Sequence, residues 1–121
     1  MKELGIIVRW GRVIPGREKE AVEGFTEATK YFGDLLAKGW LTYFEPFGYL
    51  SGDNDLENGF FLMKGPAEKV HEIFESEPTL RLKTQATMYL DHLTIEFLLV
   101  GDEVINNISR FAEIAMVPVG A

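Results

Sequence analysis

Apolar side chains in residues 4–14, LGIIVRWGRVI, fall on both parities, with Ile6, Val8 and Trp10 on one and Ile7 and Val13 on the other. Together with the density of β-branched and aromatic residues, this predicts a strand covered on both faces. Pro15 then takes a helix-start position, where its missing N–H costs nothing, and Glu18 and Glu20 follow at the positive end of the helix dipole. From Ala21 the apolar residues Ala21, Val22, Phe25, Ala28, Phe32, Leu35 and Leu36 keep the three-and-four spacing of one buried helical stripe, which Lys38 and Gly39 end.

Residues 40–50, WLTYFEPFGYL, are crowded with aromatics, and Pro46 would deny a ladder hydrogen bond to a central strand, so the segment predicts an edge strand. The polar stretch Ser51 to Asn58, with Gly52 within it and Gly59 after it, supplies loop chemistry before the apolar run Phe60–Met63, which completes a hairpin. Pro66 opens a second helix on Val70, Ile73 and Phe74, and Ser76 to Pro78 breaks it. Leu82, Ala86 and Leu90 extend helical spacing to about Tyr89. HLTIEFLLVG then alternates His92, Thr94, Glu96 and Leu98 with Leu93, Ile95, Phe97 and Leu99 up to Gly101, a strand with one wholly apolar face. Asp102 is expected to cap a closing helix that buries Val104, Ile105, Ile108, Phe111, Ala112 and Ala115.

The order is strand, helix, strand, strand, helix, strand, with an extra terminal helix. It is the ferredoxin-like βαββαβ pattern of the α+β class. Pro15 with Glu18 and Lys19, and Pro66 with Glu68 and Lys69, give each half a proline-initiated helix after a strand.

At 121 residues the chain has the length of one domain, spanning 1–121. A net charge of -7 repels phosphate backbones, so nucleic acid is not an expected partner. With no cysteine there is no disulfide, thiolate metal site or cysteine nucleophile, which suits a cytoplasmic location. No apolar run reaches the ~20 residues of a membrane span, and Arg9 interrupts the first run too early for a signal peptide, so no membrane partner is expected.

The segment VIPGREKEAVEGF, the aromatic hairpin and the strand LTIEFLLV together resemble the dimeric α+β barrel superfamily over about residues 4–100. The resemblance implies a four-stranded antiparallel sheet with helices on one face, the other face closing a barrel against a second copy. It also implies a barrel cleft of the kind that houses cofactor-free quinol-forming monooxygenases, muconolactone-type isomerases, haem-handling enzymes and proteins of no assigned activity. Membership alone selects no reaction.

If the apolar parity of the last strand faces the helices, His92, Thr94 and Glu96 line that cleft. Arg9 faces the same side when Ile6, Val8 and Trp10 pack under the helices, and the first and last strands are neighbours in the superfamily's sheet. An Arg9–Glu96 cross-strand ion pair is therefore expected. Glu45 lies between Tyr43 and Phe47 on one parity, and burial in an aromatic-walled cavity would raise its pKa and suit it to proton transfer. A solvated edge-strand glutamate is its plainer role.

Metal and cofactor chemistry find little support. The chain has two histidines, and His92 and Glu96 lie roughly 13 Å apart along a strand, too far to grip one ion. His71, at the border of an apolar helical stripe, reads as a partly buried structural histidine. The loop Asp53–Asn58 imitates a calcium loop for three ligands, but it has Asn58 where glycine is needed and Lys64 where a bidentate glutamate is needed. Glycine-rich phosphate loops and hydrolase nucleophile settings are absent.

These features predict a homodimer whose cleft binds a small apolar or aromatic molecule, with Arg9, Tyr43, Phe47 and Glu96 as ligand-binding residues and neither cofactor nor metal. The catalytic alternative is a cofactor-free monooxygenase or isomerase acting on an aromatic or enol substrate. There His92 or Glu45 would be the general base, and Arg9 would stabilise an enolate. The third reading is an interaction module with a barrel filled by side chains.

Overall fold

The structure, a computed structural model, describes residues 2–52 and 57–117. Its elements follow as β1 (Glu3–Trp10), α1 (Glu18–Ala37), β2 (Tyr43–Gly48), β3 (Gly59–Pro66), α2 (Ala67–Glu75), α3 (Glu77–Ala86), β4 (Thr94–Leu98) and α4 (Asp102–Ala115). The strands form one sheet in the order β2-β3-β1-β4, and every pairing is antiparallel. This is the predicted ferredoxin-like α+β architecture, and β2, the strand that carries Pro46, lies at an edge as expected.

Alternation along β1 sends Leu4, Ile6 and Val8 under the helices, where they meet Phe61 and Met63 of β3. Phe32 and Leu35 of α1 and Val70 and Ile73 of α2 complete the core from above. Phe61 is its aromatic centre, with the ring centroids of Trp10, Phe44 and Phe25 at 4.9, 5.3 and 5.5 Å.

Several expectations need correction. The first strand stops at Trp10; Val13 instead forms an isolated bridge to Leu90, and the backbone of Gly11 and Ile14 donates to the carbonyls of Asp91 and Tyr89 at 2.8 and 2.9 Å. The Arg12–Asp91 ion pair, 3.2 Å, ties the same two segments. Pro15 and Gly16 make a turn, and α1 begins only at Glu18. Of the predicted stripe on α1, Ala21, Phe32 and Leu35 are buried, whereas Val22, Phe25 and Leu36 are exposed. The break at Ser76 is sharp: α2 ends before it, and α3 starts after it with Pro78 in its first turn.

The last strand spans only Thr94–Leu98, so His92 precedes it. His92 takes a φ of 54°, a left-handed conformation that ends the regular alternation before the strand begins. His71 is exposed, its ring 5.5 Å from that of Phe97. Most of the calcium-like loop, 53–56, lies outside the described residues.

The largest correction concerns α4. Asp102 does not cap it as expected: Gly101, at φ 58°, holds the cap position, Asp102 is the first helical residue, no side-chain cap hydrogen bond forms, and none of the helix's residues is buried. No other described element packs against it, so no described element of its own chain covers its apolar stripe. No helix among the described residues is long and apolar enough to cross a membrane.

Candidate functional site

The two faces of the sheet offer different chemistry. Away from the helices, side chains stand in three rows across the strands: Phe47, Phe60, Arg9 and Thr94; then Glu45, Leu62, Ile7 and Glu96; then Tyr43, Lys64, Gly5 and Leu98. Arg9 reaches diagonally to Glu96 in an ion pair, the two side chains 34% and 54% exposed. The Tyr43 hydroxyl donates to the Glu45 carboxylate, and that bond holds the phenol proton and raises the Tyr43 pKa. The Lys64 ammonium lies 5.2 Å from the Tyr43 ring centroid, and Phe47 stacks on Phe60 at 4.9 Å.

This open face gathers Arg9, Tyr43, Glu45, Phe47 and Glu96 on one surface, as parity predicts, but spreads them widely. Glu45 belongs to β2 and Glu96 to β4, the opposite edges of the sheet, about three strand spacings of ~4.8 Å apart. His92, exposed and just before β4, lies at the edge of the sheet opposite Glu45 on β2. Glu45 is itself exposed in the single chain and lacks the aromatic enclosure its neighbours suggested.

Enclosed space lies on the other side of the sheet. A cavity of about 390 Å³ opens between β1, β3 and β4 below and α1 and α3 above. Its location follows from residue size. Ala21, Gly24 and Ala28 place small residues along one face of α1, and Ala86 does so at the end of α3, so the helices reach the sheet without filling the gap. Trp10, Phe25, Phe32, Phe61, Phe74 and Tyr89 supply the aromatic walls, and the exposed Val22 and Phe25 mark the opening to solvent.

Polar groups in this cavity are few. The Thr79 hydroxyl is buried and committed to Tyr31, 2.9 Å away, and to Ser76 at 3.3 Å. Glu18 and Lys83 are exposed members of the wall, and the Glu18 carboxylate accepts a hydrogen bond from the Gly16 N–H at 3.2 Å. Backbone N–H groups of Glu18 and Gly16 hold that carboxyl below its ordinary pKa.

Tyr89 is different. Its residue is only 8% exposed, and among the described residues no hydrogen bond engages its hydroxyl, which keeps a small contact with solvent. Burial, followed by the negative charge of Glu27, pushes its pKa up, so the phenol is a neutral donor at physiological pH. The 11–14 to 89–91 pairing described above fixes the backbone that carries it. Sequence reasoning missed Tyr89 and Gly24. The available signal was the small-residue spacing 21, 24, 28 on a helix otherwise lined with large apolar residues.

No protein-family model matches the chain, and no curated protein matches it. Solved structures do. A dimeric protein of unknown function with a ferredoxin-like fold from Bacteroides fragilis aligns with 81% of this chain and 96% of its own at TM-score 0.58 and 15% identity. A DABB-family protein with a ferredoxin-like fold from Mesorhizobium loti aligns with 84% of this chain and 99% of its own at TM-score 0.61 and 12% identity. A Pseudomonas aeruginosa protein aligns with 84% and 96% at TM-score 0.56 and 12% identity. Identity this low speaks for backbone architecture alone, and what this chain shares with these proteins is the ferredoxin-like fold that the order of its elements predicted.

Proposed function

We propose that this chain is a cytoplasmic homodimer that binds one small apolar or aromatic molecule per protomer in the cavity between the helices and the sheet. The observation that carries the binding site is the Tyr89 hydroxyl, without a partner among the described residues, in an aromatic-walled space of about 390 Å³. That volume lies within the ~300–1,000 Å³ of ligand pockets, and one convergent polar group on apolar walls is their usual design. The ligand is a ring or short hydrocarbon frame bearing a carbonyl, ether or phenolic oxygen that accepts from Tyr89. His92 and Glu45, the bases expected for an oxygenase or isomerase, both lie off the cavity. The dimer rests on the open sheet face, where Ile7, Leu62, Phe60 and Leu98 interrupt the polar groups, and on the dimeric state of the Bacteroides fragilis protein.

Trp10 lines the cavity and Trp40 does not, so intrinsic fluorescence tests the site. Titration with 1-naphthol is expected to change Trp10 emission saturably with one site per chain. Trp10→Phe should remove that change while leaving Trp40 emission in place. Ala86→Leu, which fills the cavity from α3, should abolish binding without unfolding the protein. Non-saturable quenching, or binding indifferent to Ala86→Leu, overturns the assignment.

A further inference from the structure

The helix α4 is amphipathic by sequence and unpartnered by structure. Ile105, Ile108 and Phe111 recur at helical spacing and are 62%, 60% and 72% exposed. A helix of 14 residues is marginal in water by itself, and no described element of its own chain provides an apolar surface to stabilise it.

Charge narrows the candidates. Asp102, Glu103 and Glu113 outnumber the single Arg110 on α4, and the whole chain carries -7. Helices that lie on lipid surfaces carry lysine and arginine on the polar face, so an anionic membrane is disfavoured. The remaining candidate suggested by the fold is a second copy of this chain.

Area points the same way. Four strands about 4.8 Å apart, with three outward rows about 6.8 Å apart, make a face of roughly 400 Å² in projection. A helix about 21 Å long and ~10 Å wide adds roughly 200 Å² of projected area beside it, about half as much again, toward the ~800 Å² of accessible surface that each partner of a stable pair covers. Gly101 stands between β4, an edge strand of that face, and α4, so the helix leaves the chain at the margin of the sheet contact.

We propose that α4 is an arm that docks its Ile105–Ile108–Phe111 stripe on the second copy and extends the dimer interface beyond the sheet face. This rests on the dimer proposed above. A chain ending at Gly101 should dissociate at concentrations at least 100-fold higher than the full chain in sedimentation equilibrium, and Ile108→Glu should do the same. Photoreactive benzoylphenylalanine in place of Ile108 should give a covalent dimer on irradiation, a readout that survives even if the shortened chain fails to fold. An unchanged dissociation constant after truncation, or an adduct confined to one chain, overturns the arm while leaving the sheet-face dimer standing. A full chain that stays monomeric at high concentration, or monomers produced only by Leu62→Glu, identifies the failure as that of the dimer or of the arm respectively.

Discussion

The hydroxyl of Tyr89 lies over the bare α-carbon of Gly24, in space that a side chain at position 24 would claim. Glycine inside a helix ordinarily costs up to ~1 kcal/mol against alanine, so Gly24→Ala would strengthen an isolated α1. Here the added methyl collides with both the Tyr89 oxygen and its ring. The net expectation is a loss of about 1–3 kcal/mol, the range of overpacked cores, read by urea denaturation. Adding Tyr89→Ala should recover part of it, because the two changes act on one contact.

Tyr89 also predicts an alkaline limit to stability. Its ordinary pKa is 10.0, and burial followed by Glu27 raises it in the folded protein. Below the ordinary value both states keep the proton, and the contribution is fully present. Above it the unfolded chain ionises first, so stability is lost as pH rises toward the folded pKa. Denaturation midpoints followed from neutral to alkaline pH should fall more steeply for the wild-type protein than for Tyr89→Phe. Equal slopes would place the Tyr89 phenol in water.

For the Arg9–Glu96 pair the outcome depends on concentration. In a single chain both groups are partly exposed, and Glu96→Ala should cost no more than ~1 kcal/mol. In a face-to-face dimer the same change strands a desolvated guanidinium, at about 3–5 kcal/mol, and adding Arg9→Ala should restore part of the loss. Chemical denaturation on either side of the dimer dissociation constant separates the two regimes. A small effect in both would mean that the open face stays wet.

His92 holds a left-handed φ of 54°, which costs most side chains roughly 1–2 kcal/mol. His92→Gly relieves that, and a gain of up to ~1 kcal/mol in stability with unchanged 1-naphthol affinity is expected. Loss of binding would return His92 to the site.

The strands and helices were legible because their apolar periods are local. Ile6 and Val8 on β1, or Phe32 and Leu35 on α1, declare their buried face within a few residues. Parity, together with the strand adjacency that the superfamily resemblance implied, placed Arg9 beside Glu96 without any knowledge of register. The cavity was not legible, because a void is a property of three elements at once. Ala21, Gly24 and Ala28 look like ordinary core until α3 is seen to contribute Ala86 opposite them. The stripe on α4 misled for the opposite reason. Its period is that of a buried helix, yet periodicity does not say which chain does the burying.

Pro46 has a consequence for how copies of this protein can meet. Tyr49 donates its N–H to the Asn58 carbonyl at 3.1 Å, so odd positions along this side of the hairpin point their donors at β3, and Pro46, on the even parity, removes one from the free margin. A neighbouring molecule trying to extend the sheet sideways therefore finds a gap in the template at its middle. Growth into open-ended filaments is hindered at this edge of the sheet, and association is steered toward contacts that close on themselves.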